Sequence, residues 1–204
     1  MLSLSLPLVL LTRAAIISAA SLPISSRQIQ NDSPSTQPTY IACVTDAKIS
    51  SLTSSVAIAA TSRKECSTTC AQHDWEIAYY RQDTSQCFCS PASDYPTSDE
   101  VVSAVDELGN CRSEDDASVE YLRSPYTLSK CYLYLTPPSP TTNLTTSSPL
   151  SCLDSCNTTS VAVRPELDTA SDQFVYECGC YDGVVGVGQV ADCGYGAESV
   201  YARI

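Results

Sequence analysis

Apolar and polar residues alternate over several short stretches of the chain, which is the pattern of half-buried β-strands. Such strands are predicted at residues 41–44, 77–79, 86–88 and 119–121, and again at residues 131–135, 174–176, 178–180 and 200–201. The stretch at residues 50–62, rich in Ser, Thr, Ala and Val, fits neither period, so its helix or strand state stays open. Each half of the chain is therefore predicted to build a small sheet.

A short helix is predicted in each half, and each helix carries two cysteines four residues apart. Ser62 begins the first helix, and Glu65 three residues later completes a capping box. Residues four apart on a helix lie one above the other, so Cys66 and Cys70 face the same side. The second helix repeats this spacing with Cys152 and Cys156.

The twelve cysteines form two sets with the same order: one cysteine, a helical pair, a strand pair two residues apart, and a closing cysteine. The first set is Cys43, Cys66, Cys70, Cys87, Cys89 and Cys111, and the second is Cys131, Cys152, Cys156, Cys178, Cys180 and Cys193. A shared order with spacers of different length predicts a tandem duplication. An even number of cysteines on a chain with an export signal indicates disulfides formed in an oxidising compartment.

The spacing of the inner cysteines predicts two neighbouring disulfides in each half. Four residues of helix and two residues of strand both span about 6 to 7 Å, so a helix lying across a strand can form two adjacent links. For a helix antiparallel to the strand, the pairs are Cys66–Cys89, Cys70–Cys87, Cys152–Cys180 and Cys156–Cys178. Parallel pairing stays open because spacing does not fix connectivity. The outer cysteines are predicted to close each half, as Cys43–Cys111 and Cys131–Cys193.

The length and charge of the chain limit its class. A duplicated framework in 204 residues predicts two domains of roughly 70 to 80 residues, which at that size often need cross-links in place of a large core. The net charge is −12, which excludes nucleic acid as an expected partner because phosphate binding needs clustered Lys and Arg. An acidic chain is compatible with a neutral polysaccharide or with another extracellular protein.

The two ends of the chain predict export without a membrane anchor. Residues 1–20 combine apolar runs with small residues near position 20, as in a signal peptide, and Arg13 interrupts the run needed for a span. Residues 21–39, rich in Ser, Pro, Gln and Thr, are predicted to form a flexible lead. The chain reaches Ile204 without an apolar tail, so no C-terminal span or lipid anchor is expected.

Two modules are predicted after the lead, the first at residues 40–124 and the second at residues 125–204. Within the second, residues 136–149 hold four prolines and many Ser and Thr, which predicts a solvated insertion. Sequons for N-glycosylation begin at Asn31, Asn143 and Asn157, all outside the predicted core elements. The expected location is secreted, either extracellular or associated with a cell wall.

The cysteine order of each half resembles a WSC domain, the module named for cell-wall integrity and stress-response component proteins of fungi. The first half matches it through Cys43, the C-S-T-T-C motif from Cys66 and the C-F-C-S motif from Cys87. The second half matches it through Cys131, the C-L-D-S-C motif from Cys152, the C-G-C motif from Cys178, and Cys193 with Gly194. Members of the family usually have eight cysteines per domain, and both halves lack one local pair.

The resemblance implies an α+β fold in which each of two small disulfide-rich modules is a helix packed on a curved antiparallel sheet, similar to PAN and apple domains. It also implies a module that binds carbohydrate. The expected function is therefore a secreted, non-catalytic protein that binds cell-wall or other extracellular polysaccharide. The alternative is a secreted protein-interaction factor or effector that kept the scaffold without binding glycan.

Aromatic residues are the expected glycan contacts, because sugar rings present C–H faces that stack on aromatic rings. The chosen residues are Trp75, Tyr79, Tyr80, Phe88, Tyr176 and Tyr181. Strand alternation predicts that Tyr80 and Phe88 face away from the disulfide helix. Many aromatic residues of a small domain belong to its core, so a core role is the competing interpretation for each.

Metal and catalytic chemistry find little support in the sequence. Zinc sites favour C-x2-C spacing together with histidines, whereas this chain has C-x3-C and C-x-C pairs and a single histidine, His73. His73 lies next to Asp74 at a helix end, without the sequence signature of a nucleophile near it. No metal, cofactor or enzymatic activity is expected.

Overall fold

The computed structural model describes residues 36–136, 139–183, 185 and 188–204. The predicted signal peptide, most of the predicted lead and the sequon at Asn31 lie outside the described residues. The described residues belong to one compact unit. Among them, no helix is both long enough and apolar enough to span a membrane.

Twelve strands form two antiparallel sheets of six strands each. The first sheet contains β1 (Gln37–Val44), β2 (Val56–Ala59), β3 (Ile77–Arg81), β4 (Gln86–Ser90), β5 (Val101–Val102) and β6 (Ala117–Ser124). The second sheet contains β7 (Tyr126–Leu135), β8 (Thr142–Thr146), β9 (Ser160–Asp168), β10 (Gln173–Tyr181), β11 (Gly188–Val190) and β12 (Glu198–Arg203). Two differences from the sequence prediction stand out, since β1 begins within the predicted flexible lead and β8 lies within the predicted solvated insertion.

Both sheets have the same strand order when the strands are numbered from the start of each half. The first sheet runs β2-β4-β3-β6-β1-β5, and the second, taken from its β8 edge, runs β8-β10-β9-β12-β7-β11. Each strand of the first sheet thus has a counterpart six strands later in the chain. This shared topology supports the tandem duplication that the cysteine order predicts.

Three α-helices occur among the described residues: α1 (Asp46–Ser51), α2 (Arg63–Gln72) and α3 (Pro149–Ser155). Two 3-10 turns, Ala92–Asp94 and Ser98–Glu100, lie between β4 and β5. Ser62 caps α2 by accepting a hydrogen bond from the Glu65 amide at 3.2 Å. The Glu65 carboxylate bonds the amide and hydroxyl of Thr61, so only half of the predicted capping box forms.

The predicted fold class is wrong, because the protein is predominantly β and its core lies between sheets. The helices are six to ten residues long, and α2 has only three buried residues, so they bury too little apolar surface to organise two separate helix-on-sheet modules. The helical cysteine spacing correctly indicates α2 and α3. It does not indicate that the two sheets share one core.

All twelve cysteines form disulfides, and the inner pairs run parallel. The structure pairs Cys43 with Cys111 and Cys131 with Cys193, as the sequence predicts. The predicted antiparallel inner pairs are wrong, and the observed pairs are Cys66–Cys87, Cys70–Cys89, Cys152–Cys178 and Cys156–Cys180. The chain path explains this outcome, because a turn after α2 reverses the chain into β3 and the hairpin reverses it again into β4. Strand β4 therefore runs in the same direction as α2.

A single apolar core joins the two halves of the chain. It includes Ile41, Val44, Ile77, Tyr79 and Val119 from the first half, and Leu150, Leu153, Val161, Val163, Tyr176 and Tyr201 from the second. The hydroxyl of Tyr176 donates to the carbonyl of Pro96 at 2.8 Å, so the 3-10 segment is also held in this layer.

The two sheets differ in what covers their second face. Helix α2 covers the first sheet on the side opposite the shared core, where its disulfides pack with Ala78, Tyr80 and Leu122. Helix α3 packs into the shared core itself, through Leu150 and Leu153. The far face of the second sheet is therefore not covered by either of these disulfide-linked helices.

Candidate functional site

The far face of the second sheet carries an open groove of about 290 Å³. It lies over β8, β9, β10 and β12. Its lining residues are Asn143, Leu144, Thr145, Ala162, Arg164, Glu177, Cys178, Gly179, Tyr181 and Glu198. We take this groove as the candidate site, because it combines concavity, charge and an aromatic ring in one place.

Strand register explains why the sheet is concave at this point. Gly179 of β10 lies opposite Ala162 of β9 on one side and opposite Asn143 of β8 on the other. The two small residues leave a low floor in the centre of the sheet. The Tyr181 ring folds over Gly179, and a Cβ atom added there would lie 2.7 Å from that ring. Tyr181 thus forms part of the wall, and its ring is held against the glycine.

The corresponding face of the first sheet is apolar. Gly179 lies between Cys178 and Cys180 as Phe88 lies between Cys87 and Cys89, and Ala162 pairs with Gly179 as Tyr79 pairs with Phe88. Phe88 and Tyr79 pack into the core that the two halves share. The second sheet has replaced these two large rings by a glycine and an alanine. Beside the groove, Ala162 and Tyr181 pack with Tyr132, Val185 and Val200 in a small apolar cluster on the same face.

Charged side chains surround the small-residue floor. Arg164 Nε lies 3.0 Å from Glu166 Oε2 in an ion pair that lacks hydrogen-bond geometry, and Arg164 Nη1 lies 4.0 Å from Glu198 Oε1. Burial raises the pKa of Glu198, Arg164 opposes the rise, and the neighbouring Glu177 and Glu166 add to it. One guanidinium thus lies close to two carboxylates, Glu166 and Glu198, and Glu177 adds a further negative charge near Glu198.

The same electrostatic environment acts on the groove tyrosine. Burial raises the pKa of Tyr181, and the charge of Glu198 raises it further. The phenol therefore stays protonated at neutral pH and can donate a hydrogen bond. The net acidity of the groove disfavours anionic ligands and suits a neutral polar one.

A second concavity, of about 370 Å³, lies on the α2 side of the first sheet. It is lined by Thr61, Ser62, Arg63, Tyr80, Gln82, Asn110, Cys111, Arg112, Ser113, Glu114, Asp116 and Ser118. This lining is polar and carries charges of both signs. The two concavities belong to opposite ends of the layered structure.

The predicted glycan residues are not brought together. Tyr79 and Tyr176 are fully buried, and their hydroxyls donate to the carbonyls of Asp94 and Pro96, so both rings pack in the core. Trp75 is partly buried against the α2 disulfides, and Phe88 is partly buried against the shared core. Tyr80 and Tyr181 each line one of the two concavities.

The predicted orientation of Tyr80 is wrong. Cross-strand register pairs Tyr80 with Cys87, and residues directly opposite on neighbouring strands share a face, so Tyr80 points toward the disulfide helix. Phe88 pairs with Tyr79 and points away from the helix, as predicted. Alternation along one strand does not show which of its faces coincides with a given face of the next strand, because only the register between the strands decides this.

Sequence reasoning missed the charged residues of the groove, Arg164, Glu177 and Glu198. A signal was present, because Arg164 and Glu166 alternate with apolar residues along β9 and so mark its outward face. The exposed pair Phe174 and Tyr195 was not chosen either. Their rings meet edge to face with centroids 6.2 Å apart, outside both concavities.

Three cysteine sulfurs lie close enough together to resemble a metal site. The Sγ atoms of Cys66, Cys70 and Cys87 are within 4.8 Å of one another. The neighbouring disulfides Cys66–Cys87 and Cys70–Cys89 account for this cluster, and disulfide sulfurs are not the thiolates that zinc requires. The cluster is therefore structural.

Two of the three sequons lie within the described residues. Asn143 is exposed on the edge strand β8 and lines the groove. Asn157 is exposed after α3, and its side-chain oxygen accepts a hydrogen bond from Arg203 at 2.7 Å. Both side chains lie at the surface, where a glycan can be attached without disturbing the core.

Comparisons with known proteins leave the family undetermined. No family model matches the chain, and neither the curated proteins nor the solved structures contain a match. The resemblance to WSC domains therefore stays a prediction, which rests on the cysteine order alone.

Proposed function

We propose that this chain is a non-catalytic extracellular protein that binds a neutral polysaccharide in the groove of the second sheet. The observation that carries the proposal is the contrast between equivalent faces of the two sheets. The first sheet uses Phe88 and Tyr79 for core packing, whereas the second has Gly179 and Ala162 beneath a polar rim. The small residues keep the floor of the groove low, with the Tyr181 ring against Gly179 and polar groups at the rim.

The chemistry of the rim suits sugar hydroxyls. Carboxylates accept hydrogen bonds, and the Arg164 guanidinium and the Asn143 amide donate them. Tyr181 lines the groove but is only 8% exposed, so it offers little ring surface for stacking on a pyranose. A net charge of −12 and an acidic groove together favour a neutral glycan over an anionic one.

Disulfide content agrees with an extracellular location. Six disulfides cross-link the described part of the chain, and such bonds persist in oxidising compartments. The polysaccharide would then be one met outside the cell, such as a cell-wall glucan or chitin. This location also makes sugar attachment feasible at Asn157, which lies outside the groove.

Retention on insoluble β-1,3-glucan and on chitin tests the proposal. We expect wild-type protein to be retained on at least one of them, and Glu177→Ala to weaken retention about tenfold, because a hydrogen bond to a charged group contributes about 1.5 kcal/mol. Tyr181→Phe, which removes one hydroxyl and keeps the ring, should weaken retention less. Glu107→Ala and Tyr195→Phe, which make the same changes outside the groove, serve as matched controls.

Two results would contradict the proposal. Retention of wild-type protein on neither polysaccharide would remove the glycan function. Equal retention of wild type and Glu177→Ala, with loss in Tyr195→Phe, would move the contact to the exposed Phe174–Tyr195 pair and away from the groove.

A specific observation supports protein interaction as the second candidate function. Strand β2, with the sequence Val-Ala-Ile-Ala, lies at the edge of the first sheet without a charged residue, and Val56 is 47% exposed. A neutral apolar edge can pair with a strand of another chain. Size-exclusion chromatography of the secreted protein tests this candidate, since antiparallel pairing of β2 between two copies would give a dimer.

A further inference from the structure

We propose that the concavity beside α2 is a second carbohydrate subsite, so that one molecule bridges two separate polysaccharide chains. This inference rests on the proposed function of the groove. The concavity, of about 370 Å³, is the larger of the two and has a polar lining. It shares no lining residue with the groove.

A buried hydroxyl without a partner is the first sign of a ligand site. Ser118 lines the concavity and is 7% exposed, and its Oγ has no hydrogen-bond partner among the described residues. An unpaired buried polar group costs about 1 to 3 kcal/mol unless something bonds it. A sugar hydroxyl entering the concavity can both donate to this oxygen and accept from it.

A fixed arginine provides a second polar contact. Arg63 Nε lies 3.3 Å from Glu120 Oε1, and Arg63 Nη1 donates to the carbonyl of Gly109 at 3.3 Å. Glu120 is in turn bonded by the Ser67 hydroxyl. The guanidinium is thus held in place with its charge compensated, so it offers N–H donors to a neutral ligand.

An aromatic ring and a free amide complete the lining. Tyr80, which sequence reasoning selected as a glycan contact, lies in the wall. Gln82 is exposed, and its side chain makes no hydrogen bond to any described residue. Its amide can donate and accept at once, as the paired hydroxyls of a sugar require. The combination of ring, amide, hydroxyl and guanidinium is the same chemical set as in the groove.

The two sites lie on different faces of the molecule, and this determines which ligands they can hold at the same time. The concavity lies on the α2 face of the first sheet, and the groove lies on the far face of the second sheet. Both sheets and the core between them separate the two sites. The distance between the sites therefore exceeds the spacing of about 10 Å between two packed sheets. Sites that face opposite directions engage two different polymer chains.

Light scattering of a soluble long-chain β-1,3-glucan tests this bridging. Wild-type protein should increase scattering, with a maximum at an intermediate protein-to-glucan ratio. The double variant Gln82→Ala with Ser118→Ala should reduce the increase at least fivefold while its retention on insoluble β-1,3-glucan stays within threefold of wild type. Removing an unpaired buried hydroxyl should not lower thermal stability, so loss of folding would be visible as a lower Tm.

The matched control is Ser90→Ala, which removes another buried hydroxyl without a partner, at a position outside both concavities. It should scatter as wild type does. Wild-type protein that is retained on insoluble glucan without increasing scattering would overturn the bridging proposal alone. So would a Gln82 and Ser118 double variant that scatters fully. Failure of wild type to be retained at all would remove the proposed function, and this inference with it.

Discussion

At the scale of single residues, side-chain size and burial divide the two halves of the molecule. Phe88 in the first half and Gly179 in the second occupy equivalent places between paired cysteines. The Phe88 ring packs into the core, whereas Gly179 lacks a side chain and the ring of Tyr181 lies against it. Residues at equivalent positions of the two sheets thus have different physical roles.

Glu120 shows how burial acts on a single carboxyl group. Burial raises its pKa above the ordinary value of 4.5, and the Ser67 hydroxyl and the Arg63 charge only partly offset this effect. The folded state then binds the Glu120 proton more tightly than the unfolded state does. The contribution to stability is complete below the unfolded pKa and is lost as the pH rises toward the folded pKa.

We therefore expect Glu120→Gln to flatten the pH dependence of stability. Between pH 4.5 and pH 7, the free energy of unfolding of wild type should fall relative to that of the variant, as measured by urea denaturation at several pH values. Glu114→Gln, an exchange of the same type at an exposed position, is the control. Parallel pH profiles for wild type and Glu120→Gln would show that Glu120 does not cause this pH dependence of the free energy of unfolding.

At the level of helices and strands, each disulfide-linked helix runs parallel to its strand, and this direction determines how the inner cysteines pair. Four helical residues and two strand residues match in length for either direction, so spacing alone allows both pairings. The two reversals that separate α2 from β4 make them parallel. Cys66 therefore reaches Cys87, and Cys70 reaches Cys89.

The observed pairing predicts the behaviour of a double variant. Cys66→Ser with Cys87→Ser should leave no free thiol, which thiol titration of the unfolded, unreduced protein measures. Its free energy of unfolding should fall by about 3 kcal/mol, since the lost disulfide closes a loop spanning 21 residues.

The control for this variant removes one cysteine from each observed bond. Cys66→Ser with Cys89→Ser leaves Cys70 and Cys87 without their native partners, and it should destabilise the protein more. Free thiols in the first variant, together with a fully oxidised and more stable second variant, would support the antiparallel pairing instead.

At the scale of the whole molecule, two repeated sheets behave as one structure because they share a core. Leu153 of α3 is fully buried in that core beside residues of the first sheet such as Tyr79 and Val119. Hydrogen bonds add to the link, for example from the Leu128 amide to the Thr39 hydroxyl at 2.9 Å. Neither sheet keeps its apolar face covered without the other.

This shared core predicts cooperative unfolding of both halves. Leu153→Ala should lower the free energy of unfolding by about 2 to 5 kcal/mol. The fluorescence of Trp75, the only tryptophan and a residue of the first half, should report the same shift in midpoint as far-UV circular dichroism.

Leu133→Ala, at an exposed leucine of the second half, is the control and should change the midpoint little. A Trp75 transition that stays at the wild-type midpoint while circular dichroism shows two steps would mean that the halves unfold independently.

Features that depend on local chemistry could be predicted from the amino-acid sequence. Alternation located the β3–β4 hairpin of the first half, the i,i+4 cysteines marked α2 and α3, and the outer cysteines paired as predicted. The predicted second-half hairpin is wrong, because residues 174–176 and 178–180 lie in the single strand β10, and its hairpin partner β9 matches no predicted strand. The strands and helices follow from the spacing of residues within one element. The outer disulfides follow from the order of the cysteines along the chain. The aromatic residues were recognisable as a group, but only the three-dimensional structure shows that Tyr79 and Tyr176 pack in the shared core, whereas Tyr80 and Tyr181, which are nearly as buried, line the two concavities.

Only the tertiary structure decided the direction of the inner disulfides, the single core between two sheets, and the groove on the open face. Each of these depends on which elements become neighbours. The sequence around Gly179 does not show that this residue forms the floor of a groove. Strand register shows it, because it places Ala162 and Asn143 beside Gly179. The burial of apolar residues from the whole chain determines which elements become neighbours. A short stretch of sequence therefore does not contain that information.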